Sequence, residues 1–307
     1  MSNNFIQNIE VNRSDYGVIT CSYEEYKSIF TSTIGGLGLT GIILSATIKL
    51  KRIESPYIEQ ISKRFGSFSE FLDITSQLEK SHEYCVGWID LVNTKKFRGV
   101  VVAGNHFQKS YKTKEKKLKF NSIKFPFTLP FSLISRATVG VLNNLYFFIN
   151  RSKNPKITTI NNFFFPLDLL EFWNKAYGKK GFYQYQFVIP ISNAESFFKK
   201  LFTLINTSNE LPSLTVLKRF GKIKSKGTIS FPREGITLAI DFPNKGKETL
   251  ELFNKLDKLV LSYNGALYPA KDTRMPKSVF EKSFPDLDIF KKNLDPLFSS
   301  LLWQRVN

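Results

Sequence analysis

The chain has 307 residues, enough for about two domains, and 42% of them are hydrophobic and 15% aromatic. That composition excludes intrinsic disorder and a small disulfide-stapled scaffold. The 44 Lys and Arg against 26 Asp and Glu give a net charge of +18, which points to nucleic acid, an anionic membrane surface or an anionic substrate. With 30 Phe, the joint richness in Lys and Phe also fits AT-rich coding, so the distribution of the charge has to decide.

Cys21 and Cys85 form no CxxC pair, and His82 and His106 have no partner at ligand spacing. No metal site is expected, and two reduced thiols in a cytoplasmic protein are the simplest reading. Met1 to Asn12 is too polar for a signal peptide. The most apolar stretch, Phe125 to Asn150, is interrupted by Pro126, Pro130 and Arg136, so the expectation is a soluble or peripheral protein without a spanning helix.

Along the chain, Gly17 to Cys21 and Thr40 to Leu50 read as strands around a turn carrying Gly35, Gly36, Gly38 and Gly41. The letters of Gly36-Leu-Gly38-Leu-Thr-Gly41 match a dinucleotide fingerprint. The β-branched run after them reads as a strand, where a pyrophosphate would need a helix N-terminus, and this rules out the NAD reading. Ser67-Phe-Ser-Glu70 is a capping box that opens a helix, and strands are expected at 84–91 and 98–103. Residues 109 to 124 carry seven Lys against Glu115 and run into the Phe-rich stretch. Basic followed by aromatic-apolar suits a segment lying on an anionic membrane, and equally a solvated loop.

The second half predicts helices over 166–177, from Ser192 to about Asn206, and over 247–263 with Asn264-Gly265 as the stop. Strands are expected at 182–190, 213–220 and 236–243. The pattern reads as α+β, with helices on one face of an antiparallel sheet. A period of two puts Gln184 and Gln186 on one face of the first strand. Lys218 shares a face with Leu214 and Val216 on the second strand, and Thr237, Ala239 and Asp241 lie opposite the apolar residues on the third. Such a face is either solvated or a platform for sugar hydroxyls and a phosphate.

The glycine turn, the Gln184/Gln186 strand, Ala270-Lys-Asp272 and the closing Leu294-Asp-Pro-Leu-Phe298, taken in order, resemble the vanillyl-alcohol-oxidase type of FAD-dependent oxidoreductases, with a PCMH-type FAD-binding domain. The branch they resemble most is that of the decaprenylphosphoryl-ribose oxidases. The resemblance implies a partial FAD-binding domain from residues 1–53 and 266–307, and a substrate domain over 54–265 with a helix-flanked antiparallel sheet. It implies non-covalent FAD held by Gly35, Gly36, Gly38, Gly41, Ile43 and Tyr268, and a catalytic Lys271 at flavin and substrate. The substrate pocket would draw on Trp88, Tyr177, Gln184, Gln186, Lys218 and Thr237. Thr237 and Ala239 stand where some members have Asn and Cys, so inhibitors directed at that thiol are expected not to react.

The implied reaction oxidises the 2′-hydroxyl of a polyprenyl-phosphoryl ribose, in epimerisation to an arabinose donor for cell-wall polysaccharide, with a short-chain reductase as partner. The family's N-terminal FAD lobe has no counterpart in the sequence. The resemblance therefore implies a truncated chain with an incomplete FAD site, through a truncated gene model, a split gene whose separately encoded lobe becomes a candidate partner, or decay of the gene. The alternative is a non-catalytic protein bound to a membrane or polyanion through residues 109 to 124. No nucleic-acid motif accompanies the charge, and nucleic acid is not an expected partner.

Overall fold

The computed structural model describes residues 5–92, 97–108, 123–124, 128, 130–151, 154–271 and 274–307. Most of the basic run from 109 to 124, together with Asp272, lies outside these residues.

Near the N-terminus, β1 (Ile6–Arg13), β2 (Gly17–Cys21) and β3 (Ile42–Ile48) form a three-stranded antiparallel sheet in the order β2-β1-β3. Ile9, Val11 and Cys21 bury one side of it against Ile29 and Phe30 of the helix α1 (Lys27–Thr33). The sequence reading had only a turn between strands here, whereas the glycine turn follows a helix. Gly41, at φ 128°, passes so close to β1 that a Cβ would lie 2.7 Å from the Asn12 carbonyl oxygen. Only glycine fits that approach.

An eight-stranded antiparallel sheet forms the main body. Its elements in chain order are β4 (Tyr57–Phe65), α2 (Phe68–Leu78), β5 (Tyr84–Ile89) and β6 (Gly99–His106). After the two-residue strand β7 (Ile123–Lys124) come α3 (Arg136–Ile149), β8 (Lys156–Thr159), α4 (Ile160–Phe164) and β9 (Leu170–Glu171), which pairs with β7. Then follow β10 (Phe182–Ile189), α5 (Ile191–Thr207), β11 (Leu214–Phe220), β12 (Gly235–Pro243), α6 (Lys247–Ser262) and β13 (Ala266–Leu267). The chain closes with α7 (Lys277–Ser283), α8 (Leu287–Lys291) and α9 (Leu301–Val306). The strand order is β13-β10-β12-β11-β5-β6-β4-β8.

One face of this sheet carries Tyr185, Phe187, Leu217 and Leu238, on which α2, α5 and α6 pack through Phe71, Phe197 and Phe253. Phe280, Phe290 and Trp303 of the last three helices join the same core. Contrary to the one-sided expectation, α3 and α4 cover the opposite face, where Trp88 meets Tyr146 and Tyr84 meets Phe164. The anchor is Asp90, which accepts hydrogen bonds from both Arg98 nitrogens (3.0 and 2.6 Å) and from Asn143 of α3 (2.8 Å).

The Ser67 cap forms as expected, with Glu70 reaching back to the Gly66 N–H. The expected helix over 166–177 is instead two short 3-10 turns separated at Phe172, whose φ of 61° no helix accommodates. Ser192 caps nothing, because α5 starts one residue earlier behind Pro190. Asn264 adopts φ 57° and the Gly265 N–H returns to the Val260 carbonyl, so the stop after α6 works as read.

Both chain ends are tied together. Arg13, 4% exposed, donates to the carbonyls of Thr40 (2.7 Å) and Asn293 (2.9 Å), and Asp295 accepts from the Ser14 N–H (2.7 Å) and hydroxyl (2.6 Å). Removing a buried carboxylate leaves several donors unpaired. Asp295→Ala is therefore expected to cost about 2–4 kcal/mol, read from urea unfolding; a loss below about 0.5 kcal/mol would show the tie to be dispensable.

Candidate active site

The register of β10, β12 and β11 places the side chains. Gln186 pairs with Ala239, which pairs with Val216 on its other side. Gln184 pairs with Asp241, and Thr237 with Lys218. Leu217 opposes Gly87 on β5, so Trp88 continues the face that holds Val216 and Lys218. Gln184, Gln186, Thr237, Lys218 and Trp88 thus share one face, as the alternation predicts, and strands about 4.8 Å apart bring their side chains into one patch.

Within that patch the polar groups are fixed by one another. The Gln186 amide nitrogen donates to the Thr237 hydroxyl at 3.2 Å, and that hydroxyl donates to the Phe187 carbonyl at 2.8 Å. The Gln184 amide nitrogen donates to Asp241 Oδ1 at 2.6 Å. Each amide therefore has its nitrogen held and its oxygen available as an acceptor.

Asp241, which the alternation puts on this face without a role, is part of the site. It is 1% exposed, and among the described residues its Oδ2 has no hydrogen-bond partner. Burial pushes its carboxyl up to about 6, against the opposing pull of the Gln184 hydrogen bond and the Lys271 charge. The available signal was a lone carboxylate on the inner strand of a sheet, between apolar neighbours. The Ser213 hydroxyl donates to the Asp241 carbonyl at 2.9 Å and lies 2.7 Å from the Tyr177 hydroxyl. Tyr177 is buried and stacks on Phe182, and burial raises its phenol above the ordinary value.

Lys271 ends the 3-10 turn Pro269–Lys271, immediately after β13 pairs with β10. Its side chain is exposed and lines a crevice with Gln184, Gln186, Tyr268 and Arg274. At about 20 Å³ the crevice is too small to enclose a sugar, so a ligand would lie over it. The Tyr268 N–H donates to the Gln186 carbonyl at 2.9 Å, and its ring packs on Phe231 at 4.8 Å. Sequence positions 87 residues apart, Gln184 and Lys271, thereby meet at one sheet edge.

The remaining expected cofactor residues do not line that crevice, and Gly35 packs on Ser230, next to the Phe231 ring that meets Tyr268. Ile43 is 54% exposed on β3, a strand exposed along its whole length. Gly36 and Gly41 are packed against the protein's own backbone, whereas a Cβ at Gly38 would meet nothing within 4 Å. Beyond the far end of the patch, Tyr177 lines a groove of about 530 Å³ with Arg136, Lys179, Lys180 and Lys245. Among the described residues none of its lining side chains is acidic, although Lys245 pairs with the buried Glu210 at 3.6 Å. Its charge suits a phosphate. Among the described residues no cluster of His, Cys, Asp or Glu could hold a metal ion.

No protein-family model matches the chain. It is 32% identical over 292 residues to decaprenylphosphoryl-beta-D-ribose oxidase of Mycolicibacterium smegmatis, covering 91% of this chain and 63% of that protein. Over 332 residues it is 25% identical to cytokinin dehydrogenase 1 of Arabidopsis thaliana, covering 99% of this chain and 57% of the dehydrogenase. An uncharacterised protein of Streptomyces coelicolor is 24% identical over 298 residues, covering 91% of this chain and 80% of that one. The chain spans less than two thirds of the length of the oxidase and of the dehydrogenase. Similarity to an oxidase and to a dehydrogenase supports the FAD-linked oxidoreductase family that the sequence resembles.

Proposed function

We propose that the chain acts in an FAD-dependent oxidation of the 2′-hydroxyl of a polyprenyl-phosphoryl ribose. The observation that carries this reading is the meeting of Lys271 with Gln184 and Gln186 at one sheet edge, in a chain 32% identical to an oxidase named for that substrate. An arabinose-donor epimerisation in cell-wall synthesis would then be the setting, with a short-chain reductase as partner.

The residues present fit one side of FAD. Exposed apolar side chains on β3 and the open backbone at Gly38 offer a surface for a flat ring system and its linker, and Tyr268 stands beside Lys271. A separately supplied N-terminal lobe would provide the rest of the site. FAD, when bound, supplies the hydride acceptor. The Lys271 ammonium stabilises negative charge that develops at the site. Asp241 holds the Gln184 nitrogen and so points the amide oxygen at a substrate hydroxyl, while Gln186 is held in the same way by Thr237. Lys218 provides a further donor on that face, and the groove beside Tyr177 would receive the lipid phosphate. The test is flavin retention and substrate-dependent flavin bleaching by the chain, alone and with the N-terminal part of the mycobacterial oxidase supplied in trans.

A further inference from the structure

Helix α3 is apolar on its outward side as well as its inward one. Inward, Val139 is buried and Asn143 is hydrogen-bonded to Asp90, and the neighbouring Asn144 accepts a hydrogen bond from Arg98 at 2.8 Å. Outward, Val141, Leu142, Leu145, Phe148 and Ile149 are 55–68% exposed. Their spacing of one, four, seven and eight residues makes a single stripe along the helix. A helix on a water-exposed surface carries polar side chains outward, because apolar side chains gain from leaving water. The helix is held firmly in this orientation. Besides Asp90, the guanidinium groups of Arg64 and Arg98 each sit 5.1 Å from the Phe147 ring, and Tyr146 packs on Trp88.

The stripe is part of a wider apolar layer. Phe164 packs on Tyr84, four residues from Trp88 on the same face of β5, and Phe164 and Phe165 are 39% and 55% exposed. Along the chain, the charge of this region has one sign. From Lys116 to Leu167 the sequence has no Asp or Glu and eight Lys and Arg. Arg136 and Arg151 stand exposed at the two ends of α3, and Lys156 is exposed at the start of β8. A second copy of the chain would bring the same positive charge against it, whereas an anionic bilayer offers both the apolar interior and the compensating headgroups.

We propose that α3 docks the protein on an anionic lipid bilayer, its outward stripe entering the headgroup boundary and the flanking Arg and Lys pairing with lipid phosphates. This inference needs neither cofactor nor substrate and does not rest on the oxidoreductase reading. The groove beside Tyr177 opens at Ser135 and Arg136, the N-terminal end of the same helix, so docking would present that groove to the headgroup layer.

The experiment is sedimentation of the full chain with vesicles of phosphatidylcholine alone or mixed with phosphatidylglycerol, with light scattering of the free protein alongside. The wild type is expected to bind the mixed vesicles, to bind less as salt rises, and to bind phosphatidylcholine alone weakly. The double variant Leu145→Glu and Phe148→Glu changes only exposed positions. It is expected to lose at least about tenfold in partitioning, whereas Ile223→Glu, exposed elsewhere at 73%, leaves it unchanged. Undiminished binding by the double variant, equal binding to both vesicle types, or no binding by the wild type would each overturn the proposal. A wild-type dimer that the double variant dissolves, with no vesicle binding, would assign the stripe to a second copy instead.

Discussion

Lys271→Ala is expected to abolish substrate-dependent flavin reduction in the assembled protein, a loss of about 10²–10³-fold or more. The side chain is exposed at the end of a short turn and contributes nothing to the core, so the variant should unfold at the wild-type urea concentration. That separation matters, because a general loss of fold would also lower activity. The side chain lies at a crevice whose other walls include Gln184, Gln186, Tyr268 and Arg274. Lys271→Arg keeps the charge but replaces a compact ammonium with a broad fork, and partial activity is the expected result. A fully active Ala variant would remove Lys271 from the mechanism.

At Asp241, expected effects divide between charge and hydrogen bonding. With its carboxyl raised by burial to about 6, above the unfolded value near 4, the protonated form is the one the fold favours. The stabilising contribution is complete below about pH 4 and is lost as pH rises through 6, an effect of roughly 3 kcal/mol at most. Asp241→Asn keeps an acceptor for the Gln184 nitrogen and carries no charge. It is expected to flatten the pH dependence of urea unfolding between pH 4 and pH 7 and to be at least as stable as the wild type at neutral pH. Asp241→Ala leaves the Gln184 amide without its partner at 2.6 Å, which should cost about 1–3 kcal/mol and weaken substrate binding. If the Asn variant showed the wild-type pH profile, the titrating group would be another.

The polar face was legible because alternation is a strong signal in long strands. Gln184 with Gln186, Lys218, and Thr237 with Ala239 fall where a period of two puts them, and the register confirms that they share a face. Other parts follow from contacts that no local pattern encodes. β4 was missed, since its Glu59, Lys63 and Arg64 interrupt the apolar alternation. α3 was hidden by prolines before it and by apolar side chains on both its sides, which leave no period of 3.6 to find. The importance of Asp241 comes from burial between neighbouring strands, and burial of a single carboxylate depends on tertiary packing. The helix expected over 166–177 failed at Phe172, where the backbone adopts a left-handed conformation that tertiary context imposes on a residue with no preference for it.

The most direct test of the proposed function is anaerobic mixing of a polyprenyl-phosphoryl ribose with the flavin-loaded protein, the N-terminal lobe supplied in trans, while flavin absorbance is followed. The flavin is expected to bleach in proportion to substrate as a 2′-keto sugar forms, and Lys271→Ala is expected to leave the flavin oxidised. A stably flavin-loaded wild type whose absorbance does not change with this substrate would contradict the proposed function.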